Sequence, residues 1–408
     1  MAILPYVYLA YMFVSIYFLS FYFLLYLRNR QTLFDSPEIK KQFKVSVLIP
    51  AYNEKDTIED TINAVMKIDY DKVVEVIVID DGSQDDTSKI VERLKKKYKN
   101  LILLKKENSG KADSLNQGIK IAKGELIAVV DSDSFPQKDS LKKMIGHFED
   151  EKVGVVTCPV LARNKKTFFE KLQAIEYSII ALTRKLLEGI GAVYVTPGPL
   201  ALYRKTALED VGGFDKGNLT EDIEITWNLA AKGWARNMSL DTRVTTLVPT
   251  KFKQWFRQRK RWSMGGIQTM WKYKHYALIP KNIVGHFILP FFILSTFLGL
   301  LGLSIFTYLI SSRLIRQYFL VKFSLVADTA IVSLNTFYFT PSVLNYLGIV
   351  LFFLGAMFSI FVLAIIKEEV LKKKNILQIL SYLTFYLAIY PIIMITAIFK
   401  LLKRDLSW

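Results

Sequence analysis

The stretch Glu125-Leu-Ile-Ala-Val-Val-Asp-Ser-Asp-Ser134 is the part of the sequence that decides the predicted fold. Its apolar run lies between Gly124 and a Ser/Pro turn, which is typical of a buried central strand. Asp131 and Asp133 follow this run, so the strand would deliver two carboxylates to one rim of a sheet. Carboxylates in this pattern can hold Mg²⁺ or Mn²⁺ together with water and phosphate oxygens. A lone Asp-x-Asp turn is more often only solvated, so the prediction depends on the rest of the chain.

Segments of strand and helix character alternate along the chain before this stretch. Asp56 is the expected cap of one helix, and Asp86 or Thr87 begins the next. This alternation predicts an α/β domain with a mostly parallel sheet that is covered by helices on both faces. The predicted strands are 45–49, 73–79 and 101–104.

Polar residues follow the predicted strands at the edge where parallel sheets bind ligands. Asp80 can accept hydrogen bonds from a base or ribose, and Lys111 can contact a phosphate. Neither a Walker-type phosphate loop nor a Gly-x-Gly-x-x-Gly dinucleotide motif occurs in the chain. Taken alone, Asp80 to Ser83 could equally be a strand-exit turn with a helix cap. The residues that coincide at this edge are Glu54, Asp80, Asp81, Lys111, Asp131 and Asp133.

The composition indicates a soluble domain joined to membrane segments. Of 408 residues, 51% are hydrophobic, yet 22% are charged, and the net charge is +17. Nucleic acid is disfavoured as a partner, because anionic lipid headgroups and an anionic substrate account for the charge as well. The single Cys158 excludes an internal disulfide framework and a cysteine-based zinc site.

Apolar segments long enough to span a bilayer lie at both ends of the chain. The first, residues 3–27, has no basic region before it and no cleavage site, which indicates a membrane anchor rather than a signal peptide. Arg28 and Arg30 follow it, and the positive-inside rule then places the next residues in the cytosol. The other predicted spans are 283–310, 344–366 and 376–399.

The orientation of the later spans depends on two loops. The basic loop Lys367–Lys374 is expected in the cytosol, which places 311–343 outside. Segment 324–339 carries Asp328 and is expected to be external or re-entrant; if it crosses the membrane, the later orientations change. The domains expected are a membrane anchor at 1–30, an α/β domain at 31–250, interfacial helices at 251–280 and a membrane region at 281–408.

Six short motifs occur in the order Pro50-Ala-Tyr-Asn-Glu54, Asp80-Asp81-Gly82-Ser83, Gly110-Lys-Ala-Asp-Ser-Leu-Asn116, Asp131-Ser-Asp133, Thr220-Glu-Asp222 and Gln258-Arg-Lys-Arg-Trp262. This series resembles the motifs of processive family 2 glycosyltransferases, the group that contains hyaluronan, chitin, cellulose and poly-N-acetylglucosamine synthases. The likeness covers residues 44–270. It implies a GT-A fold, a UDP-sugar donor, Mg²⁺ or Mn²⁺ as cofactor, and transfer with inversion.

The resemblance assigns the donor side of the site residue by residue. It implies that Asp80 contacts the uridine and that Tyr52 and Glu54 line the same pocket. It also implies that Asp133 binds the metal that bridges the diphosphate, with Asp131 beside it. The residues implied for donor binding are Tyr52, Glu54, Asp80, Asp81, Lys111, Asp113 and Asp131, and those implied for the metal are Asp133 and Asp131.

Asp222 resembles the general base of these enzymes, with Glu221 beside it as a second catalytic acid. A sugar hydroxyl is a poor nucleophile, so a carboxylate has to take its proton, and repulsion from Glu221 would raise the pKa of Asp222. Alternatively, Thr220 caps a helix whose first turn carries the two acids, and both interpretations can hold together. The residues that resemble a clamp for the diphosphate and the acceptor are Gln258, Arg261 and Trp262.

Two further segments bear on the acceptor and on the membrane. Residues 196–203 resemble the Ser-Gly-Pro-Leu-type segment near the acceptor, or form a Pro/Gly turn before a strand. The basic and aromatic stretch 251–271 predicts a helix on the inner leaflet, with Phe252, Trp255 and Trp262 as its apolar stripe.

The expected protein is a multi-pass transferase of the plasma membrane with a cytosolic catalytic domain. In one hypothesis it polymerises sugar from UDP-N-acetylglucosamine or a related UDP-hexose into a β-linked polysaccharide, and passes the chain across the membrane. In the other it adds a single sugar to a membrane lipid or glycolipid. A membrane scaffold with a degenerate domain is disfavoured because the motifs are intact. Many members of the group have two helices before the catalytic domain, so a small membrane partner subunit would supply the missing helix.

Overall fold

The computed structural model of the chain describes residues 4–326, 343–367 and 376–406. Most of the predicted external segment 324–339, and the basic loop after Lys367, lie outside the described residues. The described strands are, in chain order, β1 Val45–Ala51, β2 Val73–Asp80, β3 Leu101–Lys105, β4 Leu126–Val129, β5 Ser134–Pro136, β6 Val153–Thr157, β7 Val160–Ala162, β8 Ala201–Arg204, β9 Ala235–Met238 and β10 Val244–Thr246.

The larger sheet has a parallel core with one antiparallel strand inserted toward its far side. Its strand order is β3-β2-β1-β4-β8-β6-β9. β1 pairs in parallel with β2 and β4, and β2 pairs in parallel with β3, as the alternation of strands and helices predicts. β8 runs antiparallel to both β4 and β6, which makes the sheet mixed. A smaller sheet, β5-β10-β7, begins directly after Asp133.

The helices lie around the sheet and continue into the apolar ends of the chain. The predicted cap Asp56 is wrong: α2 begins at Ile58, and Thr57 stands at the cap position with its hydroxyl bonded to Glu54 Oε2 at 2.7 Å. The described helices are α1 Leu4–Asn29, α2 Ile58–Val65, α3 Thr87–Lys95, α4 Lys111–Ile121, α5 Ser140–Ile145, α6 Phe168–Glu188, α7 Lys205–Asp210, α8 Glu221–Ala231, α9 Phe252–Lys272, α10 Leu289–Val326, α11 Val343–Ile366 and α12 Ile376–Leu402.

The apolar strands are buried because helices cover both faces of the larger sheet. Every residue of β1 is buried. Val47 and Ile49 belong to the core on the side of Ile62 of α2, whereas Leu48 belongs to the core on the side of Leu115 of α4. A strand that is covered on both faces needs apolar residues at consecutive positions, so its sequence reads as a nearly continuous apolar run.

Among the described residues, four helices are long and apolar enough to cross a membrane, which agrees with the number predicted. They are Leu4–Asn29, Val284–Val326, Tyr346–Ile366 and Leu377–Leu402. The second is longer than predicted, because the helix continues past residue 310 through Arg313 and Arg316 to Val326. Arginine, leucine and glutamine in this extension favour helix, so the backbone stays helical beyond the apolar stretch.

The predicted apolar stripe on α9 packs against protein, so the expectation that it faces the inner leaflet is wrong for its central residue. Trp255 is completely buried. Its ring centroid lies 5.6 Å from that of Phe169 on α6 and 5.4 Å from that of Phe385 on α12. Phe252 is half-exposed and Trp262 is partly buried. An amphipathic pattern shows that a face is covered, but it does not distinguish lipid from neighbouring helices.

A buried ion pair connects α9 to the membrane helices. The Arg259 guanidinium donates to Glu176 of α6, with 2.9 Å between Nε and Oε1, and both side chains are almost completely buried. The hydroxyls of Tyr386 and Tyr390 on α12 donate to the same carboxylate at 2.8 and 2.7 Å. The carboxylate is therefore fully hydrogen-bonded, as a buried charge has to be.

Replacing Arg259 by methionine is expected to lower the apparent melting temperature of the protein in detergent. The variant leaves the Glu176 carboxylate buried with only tyrosine hydroxyls as donors, and breaking a buried ion pair costs about 3–5 kcal/mol. Thermal unfolding followed by tryptophan fluorescence measures this loss.

The matched control is the double variant Arg259→Met/Glu176→Leu, which removes both charges. Apolar replacement of a whole buried pair is often neutral, so the double variant should melt above the single variant. Equal melting temperatures for the two variants would contradict a stabilising role for the pair.

Candidate active site

The ends of three neighbouring strands place the candidate donor residues along one edge of the sheet. In the pairing of β1 with β2, Ala51 lies opposite Asp80, and the Asp81 amide donates to the Ala51 carbonyl at 2.9 Å. Tyr52 follows β1 at the same edge and is 46% exposed. β4 lies on the other side of β1, which brings Asp131 to this edge as well. The edge is therefore a rim of acids with one exposed aromatic ring.

Asp80 and Asp81 are both buried, and their carboxylates hold different loops. Asp80 accepts a hydrogen bond from the Ser83 amide at 2.8 Å. Asp81 accepts from the Ser109 amide at 3.0 Å and from the Gly110 amide at 2.8 Å. Asp81 thus fixes the loop that leads into α4, whereas Asp80 fixes the turn that follows β2.

Asp113 lies in the first turn of α4 and has a network of its own. Its carboxylate accepts from Ser109 Oγ at 2.5 Å and from Gln117 Nε2 at 2.8 Å. Lys106 Nζ lies 3.4 Å from the same carboxylate, and Lys216 pairs with it more closely. The contact with Lys216 and the hydrogen bond from Ser109 lower the pKa of Asp113. The structure therefore commits this carboxylate to contacts within the protein.

Lys111 joins the two halves of the candidate site. Its Nζ lies 2.6 Å from Asp131 Oδ1 and 2.8 Å from Glu221 Oε1. Burial opposes the charge of Lys111, but the two carboxylates outweigh it and raise its pKa. A Cβ atom at Gly198 would lie 2.6 Å from both Asp131 Oδ1 and Lys111 Nζ, so a side chain at this position would displace the pair.

Glu54, Asp131 and Asp133 crowd negative charge on the donor side. Burial and repulsion from Asp131 raise the pKa of Asp133 to about 6. Burial also raises the pKa of Glu54, and Asp131 adds to this effect. In the described part of the chain, no three acidic, histidine or cysteine side chains converge on a common metal position. The two aspartates nevertheless fit a hard divalent cation, which takes one or two carboxylates and completes its shell with phosphate and water oxygens.

Asp222, the candidate base, lies at the start of α8 beside Glu221. Burial and repulsion from Glu221 raise the pKa of Asp222 to about 6, against the lowering effect of Lys111 and Arg261. Burial would also raise the pKa of Glu221, but Lys111 outweighs it and the pKa of Glu221 is lowered. The predicted repulsion therefore contributes, although burial is the larger cause. Of the two acids, Asp222 is the one poised to exchange a proton near neutral pH.

Helix α9 is fastened to the loop that carries these acids. A Cβ atom at Gly265 would lie 2.1 Å from Thr220 Oγ1, so the helix and the loop meet without a side chain between them. The Leu219 amide donates to Gln268 Oε1 at 3.0 Å. Thr220 stands at the cap position of α8, but its hydroxyl donates to Asn218 Oδ1 at 3.2 Å and makes no cap bond. The predicted position of Thr220 as the N-cap, with Glu221 and Asp222 in the first turn, is therefore confirmed, although the cap is not made by its side chain.

The predicted clamp residues lie along α9 with different neighbours. Arg261 is within electrostatic range of Asp222. Trp262 lies against the Arg259 guanidinium, with 4.2 Å between Arg259 Cζ and the ring centroid. Gln258 accepts a hydrogen bond from Arg259 through its Oε1. Arg261 therefore lies near enough to the acids to act on them electrostatically, whereas the other two pack around the buried Arg259.

Several residues that shape the site carry no motif of their own. Thr246 of β10 contacts Asp133, with 3.2 Å between its hydroxyl and Oδ1. Gly198 lies in the segment that the sequence associates with the acceptor, but it adjoins the Lys111–Asp131 pair. Gly265 lies within α9, where the sequence shows only an interruption of the helix pattern. A glycine needed for close approach has no signal that separates it from a glycine in a turn.

The mixed sheet with a parallel core, covered by helices and with acids at its strand ends, has a GT-A-like fold. Residues 46–212 match the model of the family described as Glycosyl transferase family 2. The long apolar helices on both sides of the domain are consistent with a membrane protein.

Two curated relatives match large parts of the chain. The chain is 36% identical to poly-beta-1,6-N-acetyl-D-glucosamine synthase of Staphylococcus aureus (strain MSSA476) over 228 residues, which cover 55% of this chain and 55% of that protein. It is 29% identical to the synthase of the same name from Staphylococcus epidermidis over 366 residues, which cover 88% of this chain and 84% of that protein. The chain thus spans about half the length of the S. aureus relatives it matches.

One solved structure supports the fold along nearly the whole chain. It is a mannosyltransferase from Pyrobaculum calidifontis in complex with GDP-Man and Mn²⁺. The TM-score is 0.62 at 20% sequence identity, and the match covers 97% of this chain and 98% of that chain. A likeness at this identity concerns the arrangement of the helices and strands only.

Replacing Asp222 by asparagine is expected to stabilise the folded protein at about pH 7.5. The pKa of Asp222 is raised to about 6 in the folded protein, so stability is lost as the pH rises through that value and the carboxyl ionises. At about pH 7.5 the asparagine removes a charge that destabilises the folded protein by about 2–3 kcal/mol. The gain in melting temperature should be smaller at about pH 5, because the wild-type carboxyl is then mostly protonated.

Asp113→Asn is the matched control with the opposite sign, because the pKa of Asp113 is lowered. At pH values above the ordinary aspartate pKa, the ionised Asp113 carboxylate stabilises the folded protein. This stabilisation is lost only as the pH falls through the lowered pKa. The variant should melt below the wild type at both about pH 7.5 and about pH 5. Shifts of the same sign for Asp113→Asn and Asp222→Asn would contradict the opposite pKa directions of the two carboxyls.

Proposed function

We propose that this chain is a membrane-embedded synthase that transfers N-acetylglucosamine, or a related hexose, from a UDP-sugar into a β-linked polysaccharide. The observation that carries the proposal is the bridge from Asp131 through Lys111 to Glu221, because it joins the donor-side acids and the candidate base in one contiguous site. The names of the staphylococcal relatives support the choice of sugar and of a polymeric product.

The donor is proposed to lie along the ends of β1, β2 and β4. Tyr52 is exposed at this rim and offers an aromatic face to the uracil. Asp80 is proposed to contact the uridine, since its carboxylate accepts from the Ser83 amide and the Ser88 hydroxyl and still has lone pairs for a further donor. Glu54 lines the same pocket. Asp81 and Asp113 are engaged with the loop around Ser109, so we propose that they shape the pocket rather than contact the donor.

Asp133, with Asp131 beside it, is the proposed holder of Mg²⁺ or Mn²⁺. The proposal is supported by the raised pKa of Asp133, which reflects negative charge held in a partly buried place. When bound, a divalent cation supplies positive charge that stabilises the leaving diphosphate. Arg261 adds a fixed positive charge from α9, and Gln258 and Trp262 form the rest of the proposed clamp.

Asp222 is the proposed general base. With a pKa of about 6, its carboxylate is ionised near neutral pH yet basic enough to take a proton from a sugar hydroxyl. Glu221 is held by Lys111 at 2.8 Å, so we propose that it tunes Asp222 and does not itself exchange the proton. Attack from the side of Asp222, with the diphosphate leaving on the opposite side, gives inversion at the anomeric carbon.

The apolar helices α1, α10, α11 and α12 are proposed to form a multi-pass bundle in the plasma membrane, with the α/β domain in the cytosol. Arg28 and Arg30 after the anchor support this orientation. The anchor is proposed at 1–30, the catalytic domain at 31–250, the interfacial region at 251–280 and the membrane region at 281–408. Passage of the polymer through this bundle, and a small membrane partner subunit, stay predictions.

Release of UDP by the purified chain in lipid, with a panel of UDP-sugars and Mg²⁺ or Mn²⁺, tests the proposed function. A long polymer formed from UDP-N-acetylglucosamine is the expected product. A single-sugar glycolipid, formed only when a lipid acceptor is added, would establish the alternative function instead. No UDP release with any donor would contradict both.

In this assay Asp222→Asn is expected to lower kcat by about 10²–10⁴-fold with little change in donor KM, because asparagine cannot take the proton. For the wild type, kcat/KM should rise with pH through about 6, since the carboxylate is the active form. The matched control is Asp241→Asn, which removes a surface acid paired with Lys143 and should keep the wild-type rate. Full transfer activity of Asp222→Asn would overturn the assignment of the base.

Asp133→Asn is expected to weaken binding of UDP-N-acetylglucosamine in the presence of Mn²⁺ by about 10–100-fold, the usual effect of impairing a metal site. Isothermal titration with Mn²⁺ and with EDTA measures it. In EDTA the variant and the wild type should bind the donor equally weakly. An equal loss in both conditions would show that Asp133 does not act through a cation.

A further inference from the structure

Arg184 is a buried cation that neither the fold nor the proposed chemistry uses. It lies near the end of α6, and only 5% of its surface is exposed. Its Nε is buried without a hydrogen-bond partner. Across residues 4–326, 343–367 and 376–406, no acid forms an ion pair with its guanidinium. Such a group is destabilising unless something completes its hydrogen bonds.

The other buried arginines show how this chain normally satisfies such a group. Arg259 pairs with Glu176. Arg236 donates to the carbonyls of Val193 at 3.1 Å and Trp234 at 2.7 Å. Arg184 has neither kind of partner among the described residues. A buried polar group without a partner calls for an explanation, and a missing ligand is one.

The surroundings of Arg184 place it on the acceptor side of the site. It lies within electrostatic range of Asp222 and Tyr194. The Tyr194 ring packs on Phe292 of the membrane helix α10, with 4.9 Å between the ring centroids. Trp227, on the same helix as Asp222, also packs on Phe292, with 5.7 Å between the ring centroids. Arg184 therefore lies where the candidate base meets the membrane bundle.

We propose that Arg184 binds the acceptor sugar and donates hydrogen bonds to its hydroxyl or acetamido oxygens. The inference rests on the proposed function, because it assumes that a sugar hydroxyl reaches Asp222. The planar guanidinium offers several donors in a fixed fork, which suits adjacent oxygens on one sugar ring. The Asp222 carboxylate lies within electrostatic range of Arg184 and would repel an anionic acceptor. The ligand class that fits is therefore an uncharged sugar.

The test measures acceptor and donor kinetics separately in Arg184→Gln. A soluble β-linked oligosaccharide of N-acetylglucosamine serves as acceptor and UDP-N-acetylglucosamine as donor, with UDP release as the signal. The acceptor KM should rise about 10–100-fold, the factor that hydrogen bonds to a charged group contribute. Donor KM, and donor hydrolysis without acceptor, should stay within about twofold. Arg184→Lys keeps the positive charge but loses the planar set of guanidinium donors. Its acceptor KM should therefore lie between those of the wild type and Arg184→Gln.

Folding provides a second and independent measurement. Because Arg184 has no ion-pair partner in the part of the chain that the structure describes, Arg184→Gln should melt at or above the temperature of the wild type. The matched control is Lys171→Gln, which removes a cation from the same helix three turns away and should change neither KM nor melting temperature. A lower melting temperature together with equal losses toward donor and acceptor would assign Arg184 a structural role and overturn the inference.

The remaining outcomes separate this inference from the proposed function. An Arg184→Gln enzyme with the wild-type acceptor KM overturns the inference and leaves the synthase intact. A wild type that releases no UDP overturns the proposed function. In that case, direct titration of the oligosaccharide decides: binding to the wild type but not to Arg184→Gln supports Arg184 as a sugar-binding residue, and equal binding overturns it.

Discussion

Lys111 lies between Asp131 and Glu221, and this contact holds the two halves of the candidate site together. Without a cation between them, the acids that follow β4 and those that begin α8 would repel each other in partly buried surroundings. Gly198 permits the arrangement, because the loop before β8 passes over the pair where no side chain would fit. The acids after β4 and those at the start of α8 are therefore coupled electrostatically, and a change of charge at one place alters the other.

Arg259 has a comparable role between the site and the membrane helices. It ties α9 to Glu176 on α6, and Tyr386 and Tyr390 extend the contact to α12. The opposite part of α9 meets the loop of the proposed base through Gly265. One helix thus contacts the bundle and the loop beside Asp222, so the position of the base depends on the packing of membrane helices.

The sequence predicted the parallel core, the apolar spans and the order of the motifs, because each depends on a local pattern of residues. Its errors have a common physical cause. A helix has the same apolar stripe whether that face contacts lipid or protein. The stripe on α9 therefore could not predict that Trp255 is buried by neighbouring helices. The Arg259–Glu176 pair joins residues that are 83 positions apart, and no short motif reports such a contact. The roles assigned to the site residues came from resemblance, and they stay predictions until activity is measured.

The buried arginines show why a fold alone does not account for this chain. Two of them are satisfied within the described residues, one by carbonyls and one by Glu176. Arg184 is not, and selection for stability alone would replace it, because an unpaired buried charge destabilises the folded state. Groups that break a local rule in this way are expected at functional sites. Lys111 is paired with acids on both sides, whereas Arg184 has no such partner among the described residues, and we propose that an acceptor sugar supplies the missing oxygen atoms.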